Sequence, residues 1–380
     1  MKCLIIGASN EAVHAIESSK KYGFEVYVLD GNENAHALKM GDHYKVLDIS
    51  DKEKTLEYAK ENEIDFILPV PIGKCLTTIG YCNDKLNLPG ISYEASISCT
   101  DKYLFHKCLN KKNLRNNECF LLEKKDKFSN IKLDFDNKQY ILKPRDGSGS
   151  RDIQIISNEK DITSLGTFDE DMILEEMFLG EEFGVDAIIH NNKLKLVLLR
   201  GKKNINNQSY MYYSIQENKL YKVVEDKMSE VCNALNINNC IVHADIMIED
   251  ATVNVIEISG RPSGHSLSSL FSIYASGIDM YKEITDIYTN NYIDKKMNIK
   301  KIFMYYFNFQ NYLVSSVPCI DDFSCSLYTE MNIKPGDLLS TINQGTDIIP
   351  RGKIIMPYTE INEIDKEIEK INSKFGGKHV

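Results

Sequence analysis

Apolar and polar positions repeat with two different periods along this chain, and its first part switches between them in regular order. Lys2 to Ile6 is a short continuous apolar run of buried-strand type, Gly7 to Asn10 a tight turn, and Glu11 to Tyr22 has the spacing of a helix. Phe24 to Leu29 reads as a second strand closed by Asp30. Lys52 to Asn62 then predicts a helix, Asp65 to Pro69 a strand, and Gly73 into Cys82 another helix. Such alternation predicts a doubly wound α/β subdomain, and the Pro-Gly pair after Leu88 places its end near residue 90.

A βαβ opening raises the question of dinucleotide binding. The first strand runs into GASNEA, which lacks the second and third glycines that let a pyrophosphate approach and the helix pack. A sheet without a dinucleotide is the preferred reading. The loop Pro69 to Gly73 falls at the carboxyl end of a strand, where open sheets place ligands, and reads either as a substrate-side wall or as an ordinary turn.

Thr100 is predicted to cap a helix that runs through Leu109, with Asp101 and Lys102 in its first turn. A lysine there opposes the helix dipole but suits an anion, and a solvated lysine is the alternative. From Glu118 to Ile155 short strands alternate with polar turns. Among them lies YILKPRDGSGSRDI, Tyr140 to Ile153, whose glycines, backbone N–H groups, Lys143, Arg145 and Arg151 have the chemistry to grip phosphate. Its bland reading is a hairpin connection. Ile173 to Ile189 follows as strand, turn and strand, with Glu175, Glu176, Glu181 and Glu182 around Met177 and Phe178. These acids are either solvated or arranged to hold a purine, one carboxylate taking ribose hydroxyls.

Val242 to Ile248 and Val253 to Ile258 predict a hairpin in which Asp245 and Glu257 are single carboxylates in apolar strands. Brought side by side they repel unless a cation intervenes, and hard oxygen ligands suit Mg2+ carried on a nucleotide phosphate. Gly260 to His265 is a donor-rich loop in which Arg261 suits an anionic group, and Ser266 to Ala275 reads as helical. Beyond it, Ile302 to Phe309, Ser324 to Met331 and Lys353 to Met356 look like strands before a charged helix at Glu360 to Lys374. Arg200, in LVLLRGKK, reads as a strand end or as part of a substrate pocket.

Composition narrows this picture by exclusion. A length of 380 residues exceeds one ordinary core, and a net charge of −10 argues against a nucleic-acid surface as the main business. Arginine occurs at only six positions, so the placement of each is informative. The ten cysteines are scattered, with no C-x-x-C pair or zinc spacing, and read as small buried hydrophobes in a reducing compartment. No apolar run reaches the length of a membrane span, and MKCLIIGASNEA has no signal-peptide pattern. The expected location is cytoplasmic, with no membrane partner.

The order of these parts resembles the ATP-grasp superfamily over roughly residues 1–290: an N-terminal Rossmann-like subdomain, the TDK helix, YILKPRDGSGSRD, ILEEMFLGEEFGVD, and the acidic hairpin ending EISGRPSGH. The resemblance implies an α/β chain, α+β in parts, with a Rossmann-like subdomain at 1–90 and an ATP-grasp domain at 91–290. Within the latter, 115–180 would be the mobile flap, and a β-rich appendage at 291–380 would complete the substrate side.

Carried over by motif, Lys102 and Lys143 resemble the lysines that contact ATP phosphates, and Gly147, Ser148, Gly149 and Ser150 the flap over the triphosphate. Glu175, Met177 and Phe178 resemble the adenine hinge and Glu182 the ribose-binding carboxylate. Asp245 and Glu257 resemble the ligands of Mg2+, for which Mn2+ can substitute. Arg261 matches an arginine that meets the acylphosphate or the substrate carboxylate, so Arg261 and Lys143 are the catalytic candidates. Arg200, Arg261, Ser263, Gly264 and His265 are the substrate candidates. Two departures stand out: Ser259 replaces the asparagine of E-x-N as a metal ligand, and Asp152 stands where glycine is frequent.

The implied activity is ATP-dependent ligation: a carboxylate is activated as an acylphosphate and joined to an amine, an amino acid in the preferred reading, with release of ADP and phosphate. The partners would be small-molecule acids and amines, and a homodimer is compatible with the pattern. Alternatives are a carboxylase or formyl-transfer enzyme using bicarbonate or formate, and a catalytically silent nucleotide-binding regulator.

Overall fold

The structure is a computed structural model that describes residues 1–124, 131, 133–147, 153–206, 208–343 and 345–380. They divide into two compact units. The first comprises Met1–Leu196, Lys219–Gly264 and Met280–Asp294, and the second Val197–Asn218, His265–Asp279 and Lys295–Val380.

The first unit opens with a parallel four-stranded sheet in the order β3-β2-β1-β4, formed by β1 (Lys2–Ile6), β2 (Glu25–Asp30), β3 (His43–Val46) and β4 (Phe66–Leu68). Leu4, Ile5, Val28 and Ile67 are fully buried, as expected where helices cover a parallel sheet and strands become continuously apolar. The helices are α1 (Val13–Lys21), α2 (Lys52–Glu61) and α3 (Leu76–Leu86). The edge strand β3 was not legible, because all four of its positions are exposed and carry no apolar alternation. Gly7 has φ +102°, and a Cβ there would lie 2.2 Å from the Ile72 side chain, so the first turn demands glycine. Asp30 closes the same turn by accepting from the Ala8 N–H at 2.7 Å.

Two short helices follow, α4 (Tyr93–Thr100) and α5 (Lys102–Lys111). This corrects the predicted cap. Thr100 ends α4 and turns its hydroxyl back to the Ser96 carbonyl, while Asp101 caps α5 by accepting from the Leu104 N–H at 2.9 Å. Both residues are good caps by type, and the preceding helix, itself capped by Ser92, decides between them.

A four-stranded antiparallel sheet in the order β5-β8-β6-β7 comes next, from β5 (Cys119–Leu122), β6 (Tyr140–Pro144), β7 (Gln154–Ile156) and β8 (Met172–Glu176). Leu122, Tyr140, Leu142, Ile156, Met172 and Leu174 form its core. Strand β9 (Glu181–His190) then pairs with Cys240–Glu249, which pairs with Thr252–Ser259. The helix Asn218–Ala234, absent from the sequence reading, buries Val224, Met228, Val231 and Cys232 at helical spacing.

In the second unit, Gln208–Ser214, Ile302–Tyr306, Gly352–Pro357 and Tyr328–Met331 are successive antiparallel strands. They pack on a core that includes Leu198, Tyr212, Phe271, Met304 and Ile355. The predicted strand from Ser324 begins only at Tyr328, after a 3-10 turn at Ile320–Phe323, and the final helix is Ile364–Asn372. A small sheet of Leu338–Leu339, Tyr312–Ser316 and Gly376–His379 was not anticipated.

Candidate active site

The acidic hairpin owes its geometry to a slip in register. Asp245 pairs directly with Glu257, but the next residue, Ile246, pairs with Val255, so Ile256 is the extra residue of a β-bulge. Burial and then the charge of Asp245 push the Glu257 carboxyl up from its ordinary value, while Lys143, Lys102 and Arg261 pull it down. Facing carboxylates whose mutual repulsion is only partly compensated are a fitting donor set for a hard divalent cation. Ser259 pairs with His243, two positions farther from the turn.

On the neighbouring strand β9, Glu182 pairs with Met247, Gly184 with Asp245 and Asp186 with His243. Asp186 is fully buried and accepts from the Ser263 hydroxyl at 2.6 Å. The Ser263 hydroxyl thus anchors the loop that follows the hairpin to β9. Gly264 has an open flank, where a Cβ would meet Pro71 at 3.8 Å, which brings the Pro69 to Gly73 loop beside it.

Lys102 begins α5, and its ammonium donates to the Gly147 carbonyl at 2.8 Å. Burial pulls its pKa down; Glu257 opposes this and Lys143 adds to it. Gly147 has φ +117°, and Ser148, Gly149 and Ser150 lie outside the described residues. Lys143, in β6, is buried and forms a 2.5 Å ion pair with Glu175. Arg145, counted among the loop's phosphate-gripping charges, is instead held by Asp101 at 2.6 and 3.0 Å and by Asp171 at 3.3 Å.

Glu175 is the hub of a buried ion-pair network: besides Lys143 it accepts from His106 at 2.5 Å and from Arg115 at 3.2 Å. Burial alone raises its pKa, but Lys143, His106 and Arg115 outweigh it and hold the carboxyl well below its ordinary range. His106, Cys119 and Glu175 lie close enough to suggest a metal centre, but Lys143 and Arg115 already compensate the carboxylate. Met177 donates its N–H to the Gln139 carbonyl at 2.8 Å, and the Phe178 ring lies 4.7 Å from the Arg115 guanidinium.

Arg261 donates from Nη1 to the Pro262 carbonyl at 2.8 Å, while its Nε is buried and lacks a partner among the described residues. Burial pulls its pKa down and Glu257 opposes the shift. An orphaned guanidinium donor beside a carboxylate pair is suited to a bound anion. The remaining candidates, Arg200 and His265, belong to the second unit. Arg200 is 2% exposed and lies over the Tyr212 ring at 5.6 Å, and the Tyr212 hydroxyl meets His265 Nδ1 at 2.8 Å. Burial, Arg200 and Lys202 push His265 down to about 4, so its imidazole is neutral at pH 7.

Lys102, Lys143, Asp245, Glu257 and Arg261 therefore share one electrostatic neighbourhood. Sequence reasoning missed Asp101, His106, Arg115 and Asp186, whose partners are distant in the chain. The scarcity of arginine was the one usable signal for Arg115.

Residues 99–265 match the ATP-grasp domain, in agreement with the ATP-grasp resemblance of the motifs in that segment. Among curated relatives, D-alanine–D-alanine ligase A of Bacillus cereus is 25% identical over 281 residues, covering 69% of this chain and 92% of the relative. A formate-dependent phosphoribosylglycinamide formyltransferase of Prochlorococcus marinus is 32% identical over 68 residues, 18% of this chain and 17% of that protein. The solved L-amino acid ligase from Bacillus licheniformis shares the fold with a TM-score of 0.80 at 13% identity, covering 100% of this chain and 98% of that one. Among the described residues no helix is long and apolar enough to cross a membrane.

Proposed function

We propose that this protein is an ATP-dependent carboxylate–amine ligase acting on an amino acid. The observation that carries the reading is the direct pairing of Asp245 with Glu257 in an electrostatic neighbourhood with Lys102, Lys143 and Arg261. The match to an ATP-grasp domain and the alignment with a D-alanine–D-alanine ligase over most of that enzyme's length support it.

In this mechanism a carboxylate oxygen of the acid substrate attacks the γ-phosphorus of ATP. The bond from that phosphorus to the β,γ-bridging oxygen breaks, and ADP departs. The amine then attacks the acyl carbon, the carbon–oxygen bond to phosphate breaks, and the nitrogen loses a proton. Two anions must meet in the first step, so the site has to supply positive charge and keep water from the acylphosphate. Lys102 and Lys143 are assigned to the phosphates, and Arg261 to the substrate carboxylate or the acylphosphate. Asp245 and Glu257, with Ser259 as a weaker donor, would hold Mg2+, which neutralises phosphate charge when bound. Met177 and Phe178 are assigned to adenine through backbone groups and Glu182 to ribose, with residues 91–290 as the ATP-grasp domain and 115–180 as its flap.

A second reading is favoured by the 68-residue match to the formate-dependent enzyme: a carboxylase or formyl-transfer enzyme that uses bicarbonate or formate as the acid. ADP release measured across a panel of carboxylates and amines, with mass detection of products, separates the two. Release that requires an amino acid and yields an amide supports the ligase. Release that depends on bicarbonate or formate supports the second reading. Binding of Mg-ATP without release for any pair overturns both.

A further inference from the structure

Arg115 lies in LRNNECF, between the predicted helix through Leu109 and the strands that start near Glu118, and it is 4% exposed. Every nitrogen of its guanidinium has a partner. Nε donates to Asn117 Oδ1 at 2.7 Å, Nη1 to the carbonyls of Val255 at 2.7 Å and Ile256 at 3.3 Å, and Nη2 to Glu175 at 3.2 Å. Its guanidinium carbon lies over the Phe178 ring at 4.7 Å and over the Phe105 ring at 5.4 Å. Asn117 in turn donates to the Glu176 carbonyl at 2.7 Å.

Two of these partners matter to the site. Val255 and Ile256 form the bulge that places Glu257 opposite Asp245, and a bulge interrupts the ladder, leaving carbonyls that need a donor from elsewhere. Glu175 is the carboxylate that fixes Lys143. We infer that Arg115 is a positioning residue: one guanidinium holds both the bulge that presents Glu257 and the carboxylate that anchors Lys143, and so sets the spacing between the carboxylate pair and the phosphate lysine. The inference rests on the ATP-site reading above. Lysine preserves the charge but cannot fork to carbonyls and a carboxylate at once.

The test uses full-length Arg115→Lys and Asn117→Ser proteins, with hydrogen exchange of the ligand-free chain and ATP affinity titrated against Mg2+. In Arg115→Lys, exchange protection is expected to fall together in Met172–Glu176 and Thr252–Ser259 while the β1–β4 sheet is unaffected. The Mg2+ concentration for half-maximal ATP binding is expected to rise about tenfold, the size of one lost charge-assisted hydrogen bond, with affinity in EDTA changed far less. Asn117→Ser keeps Arg115 and is expected to give the same pattern more weakly, which preserves the test if Arg115→Lys does not fold. Loss of protection confined to one strand, or an unchanged Mg2+ requirement in a folded variant, overturns the inference. Failure of the wild type to bind Mg-ATP would instead remove the ATP-site reading, with the exchange data still deciding whether Arg115 couples the two strands.

Discussion

Lys143 and Glu175 form a 2.5 Å ion pair between β6 and β8, and their side chains are only 7% and 5% exposed. Removing one partner of such a pair leaves an uncompensated charge out of water. Glu175→Gln is therefore expected to destabilise the protein by about 3–5 kcal/mol, read from denaturant unfolding. The pH dependence has a definite sign. The folded Glu175 carboxyl lies below its ordinary value of 4.5, so its contribution is fully present above that pH and is lost as pH falls through the folded value. The wild type should lose stability in this acid window more steeply than Glu175→Gln; parallel acid limbs would refute the network as drawn.

Glu257→Gln should separate folding from function. It relieves repulsion against Asp245, so the melting temperature without ligand should hold or rise slightly. Stabilisation by Mg-ATP and turnover should disappear together. Retained full activity would remove Glu257 from the proposed ligand set.

Asp101 does two things at once, capping α5 and pairing with Arg145. Asp101→Asn keeps a cap acceptor and loses only the charge, whereas Asp101→Ala loses both. The alanine variant should be less stable by about 1 kcal/mol, the usual worth of a cap, as measured by chemical denaturation. Equal destabilisation by the two variants would mean that the charge pair alone matters.

Gly180 and Gly23 both have positive φ, +115° and +75°, but only Gly180 faces an obstruction: a Cβ would lie 2.3 Å from the Ile248 carbonyl oxygen. Gly23 faces nothing within 4 Å among the described residues. Gly180→Ala should therefore cost about 1–3 kcal/mol more than Gly23→Ala in urea unfolding.

How far these features could be read beforehand depended on how local their causes are. The pairing of Asp245 with Glu257 was legible because two strands of clear period flank a polar turn, so a single carboxylate in each stands out. The network at Glu175 was not, because its partners come from three separate segments, Lys143 from β6, His106 from α5 and Arg115 from the stretch between α5 and β5, that meet only in the fold; Arg115 is 60 residues away in sequence. Thr100 was mistaken for a cap because α4 has an unusually weak apolar pattern, with Ser and Thr at many of its positions. The helix Asn218–Ala234 shows the reverse case: its cause is local, since Val224, Met228, Val231 and Cys232 recur at helical spacing in the sequence itself.

The extra residue at Ile256 also sets limits on how this hairpin can change length. Ile246 pairs with Val255 and Asp245 with Glu257, so excising Ile256 would close the ladder into a regular one with the two carboxylates still opposite each other, whereas a further residue added there without a second bulge would turn Glu257 to the other face. The turn itself is under a different constraint: Asp250 and Ala251 already adopt left-handed backbone, with φ of +46° and +66°, and stand outside the paired strands. Lengthening the hairpin there leaves the register of Asp245 and Glu257 intact. Drift in chain length compatible with a working carboxylate pair is thus confined to two places, the tip of the hairpin and the surplus residue of the bulge.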